Sequence, residues 1–187
     1  SNQIDFRFFK CYFCIMNISQ KRIVTYWLYL GLILVGLMII IGGITRLTNS
    51  GLSMVEWELI KGTIPPLNET QWQEKFTKYQ QHPEYQEINP NMLLSEFKKI
   101  FFWEYLHRIW GRLIGLVFII PFVIFWTKKW LNTTQKKQLV VLLGLGALQA
   151  FIGWFMVKSG LVDIPAVSHY RLAIHLITAF GLMCYIY

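Results

Sequence analysis

The chain has 187 residues, 55% hydrophobic and 17% aromatic, with 15% charged and a formal net charge of +8. That is too apolar for an ordinary soluble domain, and the charges fall in blocks between long apolar runs. The positive balance does not point to nucleic acid, because no basic patch with exposed aromatics lies on a soluble module; lysine and arginine flanking membrane spans account for it.

Cys11, Cys14 and Cys184 are the three cysteines. Cys11 and Cys14 form a CxxC, but no second pair exists to complete a tetrahedral zinc site. Both precede Met16, which reads as a natural start, so residues 1–15 are expected to be upstream translation or a disordered leader. Residues 1–22 together form an N-terminal leader on the inner side. A cleavable signal peptide is not expected, since the first apolar run is long enough to span and lacks a small-residue cleavage site.

Four segments approach the roughly 20 residues a bilayer core demands: about 23–44, 102–126, 138–157 and 170–187. Backbone groups in lipid must be satisfied internally, so these are helices. The expected fold is all-α: a polytopic membrane protein with a four-helix transmembrane bundle over 23–187. The fourth run is still apolar at Tyr187, which reads as a truncated chain. Lys21 and Arg22 precede the first span, and Lys128, Lys129, Lys136 and Lys137 crowd the loop between the second and third. Those ends are inside, which puts the loop of about 45–101 and the linker of about 158–169 outside. The outer loop carries Trp57, Pro65, Pro66, Trp72 and Tyr79, and its tract from Gln71 to Gln81 reads as a surface helix in a cap over the bundle. The bland alternative is an irregular solvated loop.

An ionisable side chain within a span is costly and usually marks function. His107 and His175 each lie about five residues inside a span entered from the outer side, a matched depth that suits holding a heme iron from both faces. The bland alternative is a pair of polar bundle contacts. Glu104 and His107 are three apart and share a helix face. A carboxylate there suits proton handling or a cationic intermediate; the competing reading pairs it with Arg108 at i+4. Arg46, Arg108, Arg112 and Arg171 lie at or toward the outer boundary, where forked donors suit heme propionates or simply snorkel. His169 reads as a propionate or supporting contact, His82 as a solvated residue, and Gln149 as making an interhelical hydrogen bond. Gly111 and Gly115 leave flat space for a porphyrin or a helix backbone.

Three stretches carry a family resemblance: GGITRLTNSGLSMVEW (42–57), FFWEYLHRIWGRLIG (101–115) and GLVDIPAVSHYRLAIHL (160–176). The chain from about Ile23 to its end resembles the N-terminal half of heme A synthase, of the branch shared by mitochondria and proteobacteria. The resemblance implies eight membrane helices built as two pseudo-symmetric four-helix bundles, the second absent from these residues. It implies oxidation of the C8 methyl of heme O to a formyl group by successive hydroxylations, giving heme A for the terminal oxidase. His107 and His175 match the family's N-terminal histidine pair, ligating the iron of the substrate heme, and Glu104 matches its essential carboxylate. A heme b cofactor is expected in the absent C-terminal half. Expected partners are heme O synthase, an electron donor such as ferredoxin, the lipid bilayer and optionally a second copy of the chain, but no nucleic acid. The expected location is a bacterial cytoplasmic membrane, or alternatively the mitochondrial inner membrane. Some family members carry a cysteine pair in the first outer loop; this loop has none, which excludes thiol-dependent chemistry there. The residues alone leave two rivals: a non-catalytic bis-histidine b-type cytochrome, and a heme-free proton relay or transporter.

Overall fold

Long apolar runs with few charges fold as single helices, and three of them are long and apolar enough to cross a membrane. The computed structural model describes residues 18–55, 63–158 and 167–187. Cys11, Cys14, Met16, Trp57 and most of the second outer linker lie outside those residues. The helices are α1 (Ile18–Leu47), α2 (Glu69–Gln80), α3 (Leu94–Thr127), α4 (Thr133–Lys158) and α5 (His169–Ile186), with a π-helical turn at Glu84–Ile88 between α2 and α3. No strand occurs among the described residues. By length and composition the three that can cross a membrane are α1, α3 and α4. The fourth apolar run forms α5, which has 18 residues and carries His169 and Arg171 in its first turn.

The protein is thus an all-helical polytopic membrane bundle. α1 packs mainly on α3 and α4 mainly on α5; α1 also lies along α5, and α3 touches α4. The contacts close a ring in the order α3, α1, α5, α4, so α3 and α5 sit across a diagonal. These two helices carry His107 and His175.

Both ends of α3 go beyond its apolar run. It begins at Leu94, well before the expected start near Phe102. The added turns are amphipathic, and their apolar side is buried against the cap, where Phe76, Tyr79, Phe97 and Phe101 form one cluster. α2 covers most of the tract expected to be helical; Asn68 caps it by accepting from the Gln71 N–H at 2.9 Å. A second cluster of Val24, Trp27, Phe122, Phe125, Leu131, Leu139 and Leu142 closes the end of the bundle away from the cap.

Local chemistry sets the helix ends. After α1, Asn49 adopts φ 50°, with Ser50 N–H bonded to the Thr45 carbonyl and Asn49 N–H to that of Arg46. This is a Schellman ending, in which the left-handed residue lets orphan carbonyls be met. Lys129, at φ 55°, ends α3 in the same way. α4 starts earlier than its apolar run because Asn132 and Gln135 cap one another, at 2.8 and 3.0 Å. Pro121 lies inside α3 and leaves the Val117 carbonyl without its helical donor. Trp27 Nε1 of α1 donates to that carbonyl at 2.8 Å, so the apolar interior keeps its backbone satisfied.

Candidate functional site

Glu104 lies on α3 one turn before His107 and is 3% exposed. Its Oε2 accepts from Ser53 Oγ at 2.7 Å and from the Met54 backbone N–H at 2.8 Å. Its Oε1 accepts from Arg108 Nη2, which also donates to the Met54 carbonyl at 3.0 Å. Buried charge is tolerated only when paired and hydrogen-bonded, and three donors meet that demand here. The turn after α1 makes this possible. Asn49 reverses the chain, Ser50 and Ser53 are buried, and the Met54 backbone meets α3 through both its N–H and its carbonyl. The i+4 pairing of Glu104 with Arg108 is therefore formed, inside a larger cage that includes Ser53 and Met54.

The His107 ring lies against Gly42 of α1, where an added Cβ would come 3.1 Å from Nε2. The His175 ring lies against Gly153 of α4, where an added Cβ would come 3.0 Å from Cε1. Each imidazole is thus seated on a glycine of the neighbouring helix, and the two rings are within electrostatic range of one another. Gln149 of α4 makes the expected interhelical contact. Its Nε2 lies 2.9 Å from the His175 carbonyl and 3.2 Å from His175 Nδ1, and its Oε1 accepts from Thr178 Oγ1 at 2.5 Å. Among the described residues no cluster of three or more His, Cys, Asp or Glu forms that could hold a bare metal ion.

The remaining candidates lie around this centre. Arg112 Nη1 donates to the Arg108 carbonyl at 2.9 Å, one turn further along α3. Arg171 donates to the Phe155 carbonyl at 3.0 Å and stacks over the Phe155 ring, 3.9 Å from its centroid. Arg46 ends α1, and His169 opens α5; both are exposed. The structure brings Glu104, Arg108 and His107 together on α3, with His175 across the diagonal. Arg46 in the last turn of α1, and His169 and Arg171 in the first turn of α5, stay at the rim of the bundle.

A second buried acid sits in the cap. Glu84 is 6% exposed, hydrogen-bonded to the fully buried Tyr79, and its Oε2 has no partner among the described residues. Burial pushes its carboxyl up to about 7; the Tyr79 hydrogen bond opposes this and the charge of Glu104 adds to it. Burial also raises the Tyr79 phenol, with the charge of Glu84 adding to the effect.

Several of these residues were not legible as site residues. Ser53 and Gly42 fall within the first resemblance stretch but have no chemical pattern of their own. A donor from the Met54 backbone leaves no sequence signal at all. Gly153 and Thr178 gain meaning only once α4 and α5 are paired. Gly111 does lie close to another helix, where an added Cβ would come 3.3 Å from Met38 Cε, whereas Gly115 faces open space among the described residues.

A family model described as cytochrome oxidase assembly protein matches residues 25–187. A heme A synthase of Flavobacterium psychrophilum is 54% identical over 169 residues, 89% of this chain and 50% of that protein. A heme A synthase of Paramagnetospirillum magneticum is 55% identical over 162 residues, 87% of this chain and 46% of that protein. Human heme A synthase COX15 is 49% identical over 172 residues, 89% of this chain and 42% of that protein. The chain spans about half the length of these relatives. No solved structure matches it.

Proposed function

The chain belongs to the cytochrome oxidase assembly protein family, and from that premise we propose that it forms the heme O-binding half of a heme A synthase. One juxtaposition carries the reading. Two imidazoles on diagonal helices are each seated on a glycine, and a caged carboxylate stands one turn outward from one of them. Two imidazoles alone do not complete a metal site, but they suit an iron whose other four ligands come from a planar macrocycle. Glycine seats keep side-chain bulk away from both rings. The donor set therefore fits heme.

In this reading His107 and His175 hold the iron of heme O. Bound heme O supplies the C8 methyl and the iron at which dioxygen is reduced. Two hydroxylations, each using dioxygen, two electrons and two protons, give a gem-diol that loses water to the formyl group of heme A. Glu104 holds negative charge beside the reacting edge, steadying positive charge at the methyl carbon or passing a proton. Ser53, the Met54 N–H and Arg108 fix where its oxygens point. Arg112, with Arg46, His169 and Arg171 on the rim, faces the propionates. Heme b belongs to the other half of the full-length enzyme. Electrons come from a donor such as ferredoxin, and heme O from heme O synthase; a second copy of the chain is a further partner. The membrane is the cytoplasmic membrane of a bacterium, or the mitochondrial inner membrane, since relatives come from both kinds of source.

One observation favours a second reading. Every oxygen of Glu104 is already hydrogen-bonded, as it would be if the carboxylate only tied α3 to the outer turn of a b-type electron-transfer cytochrome. Glu104→Gln separates the two. It should leave heme bound and stop conversion at heme O or its alcohol, read by extracting the hemes and identifying them by mass. Full conversion in that variant would remove the catalytic role.

A further inference from the structure

Gln149 and Thr178 form a polar pair in the apolar middle of α4 and α5, and the chemistry above does not use them. Their arrangement fixes the orientation of the amide, which otherwise has to be assigned from its neighbours. The His175 carbonyl, 2.9 Å from Gln149 Nε2, can only accept. Turning the amide round would set two acceptor oxygens against each other there. Thr178 Oγ1 sits 2.5 Å from Gln149 Oε1 and gives it the hydroxyl proton, although the Ile174 and His175 carbonyls also lie within reach, at 2.8 and 3.0 Å.

An amide nitrogen donates and does not accept. His175 Nδ1, 3.2 Å away, is therefore the acceptor, and the proton of a neutral ring sits on Nε2. An imidazole in that tautomer offers no lone pair on Nε2 to a metal. Ligating histidines usually do the opposite, donating their second N–H to an acceptor that fixes the ring for binding. The seat at Gly153 receives the ring at its Cε1 edge, so the captured position is also sterically accommodated. Among the described residues His107 has no such amide partner; its ring rests on Gly42.

We propose that Gln149, oriented by Thr178, is a positioning residue that draws His175 away from the iron and makes it the releasable ligand of the pair. This rests on the heme-binding reading above and addresses a difficulty within it. Iron held by two imidazoles has no position left for dioxygen. A histidine with a second hydrogen-bonded resting place on α4 can vacate one axial position while His107 keeps the heme anchored.

The test uses the purified protein loaded with iron protoporphyrin IX, reduced and mixed rapidly with carbon monoxide, which binds only where a histidine has left. Wild type should show a low-spin bis-imidazole spectrum and carbon monoxide binding limited by ligand release. Gln149→Leu and Thr178→Val should keep that spectrum but bind carbon monoxide more slowly, by about tenfold for loss of a hydrogen bond of this kind. Unchanged rates in both variants would overturn the proposal, as would faster binding in Gln149→Leu, which would mean that the amide holds His175 on the iron. Thr178→Val changes shape least and decides alone if Gln149→Leu takes up no heme. A wild type without the bis-imidazole spectrum would overturn the heme-binding reading itself, a different result from normal ligation with unaltered rates.

Discussion

Three donors converge on Glu104, and one of them, Ser53, sits 2% exposed in the turn after α1. Ser53→Ala would leave the buried carboxylate short of one hydrogen bond, which costs about 1.5–3 kcal/mol when the partner is charged. We expect a lower thermal midpoint and, because the carboxylate also loses its aim, slower conversion with heme still bound; an unchanged midpoint would show that the cage is redundant. At the glycine seats the neighbouring ring has to move. Gly42→Ala and Gly153→Ala put a Cβ 3.1 and 3.0 Å from His107 and His175, tighter than ordinary contact. Each should shift the electron paramagnetic resonance of the ferric heme and lower its occupancy, whereas spectra identical to wild type would place the heme elsewhere. The residues named for chemistry were readable because ionisable groups are rare in spans. Their supports were not, since a glycine or a backbone N–H signals nothing until its neighbouring helix is known.

The cap is the element whose behaviour should depend most on pH. Glu84 is buried beside Tyr79, and burial, with the charge of Glu104 adding to it, raises its carboxyl from 4.5 to about 7. An acid that holds its proton more tightly when folded contributes stability that is complete below about 4.5 and is lost as pH rises through about 7. Hydrogen exchange of the α2 amides, corrected for intrinsic rates, should therefore show protection falling across that window. Glu84→Gln should flatten the trend; an equal slope in the variant would assign it to another group. The cap also shows where sequence reading stopped. Apolar runs gave the spanning helices with ends off by a turn or so, but the outer turns of α3 are amphipathic. Their helical state depends on Phe97 and Phe101 meeting Phe76 and Tyr79, a long-range contact that no local period encodes.

At the scale of the whole molecule, the order of packing around the bundle matters most. Pairing α1 with α3 and α4 with α5 puts the two histidine helices on a diagonal, and each ring packs on a glycine of a neighbouring helix. Hydropathy alone gives the expectation of matched depth, whereas the diagonal was not legible, because all four apolar runs could be paired in several ways. Conversion of heme O is the central claim, and the hemes present in the cell test it most directly. We would express the full-length protein with heme O synthase in an aerobic host that supplies the electron donor, extract the hemes, and separate them by chromatography with mass detection. Heme A or its hydroxylated precursor is the expected result. Heme O left unchanged beside ordinary heme b would contradict the account and return the chain to electron transfer.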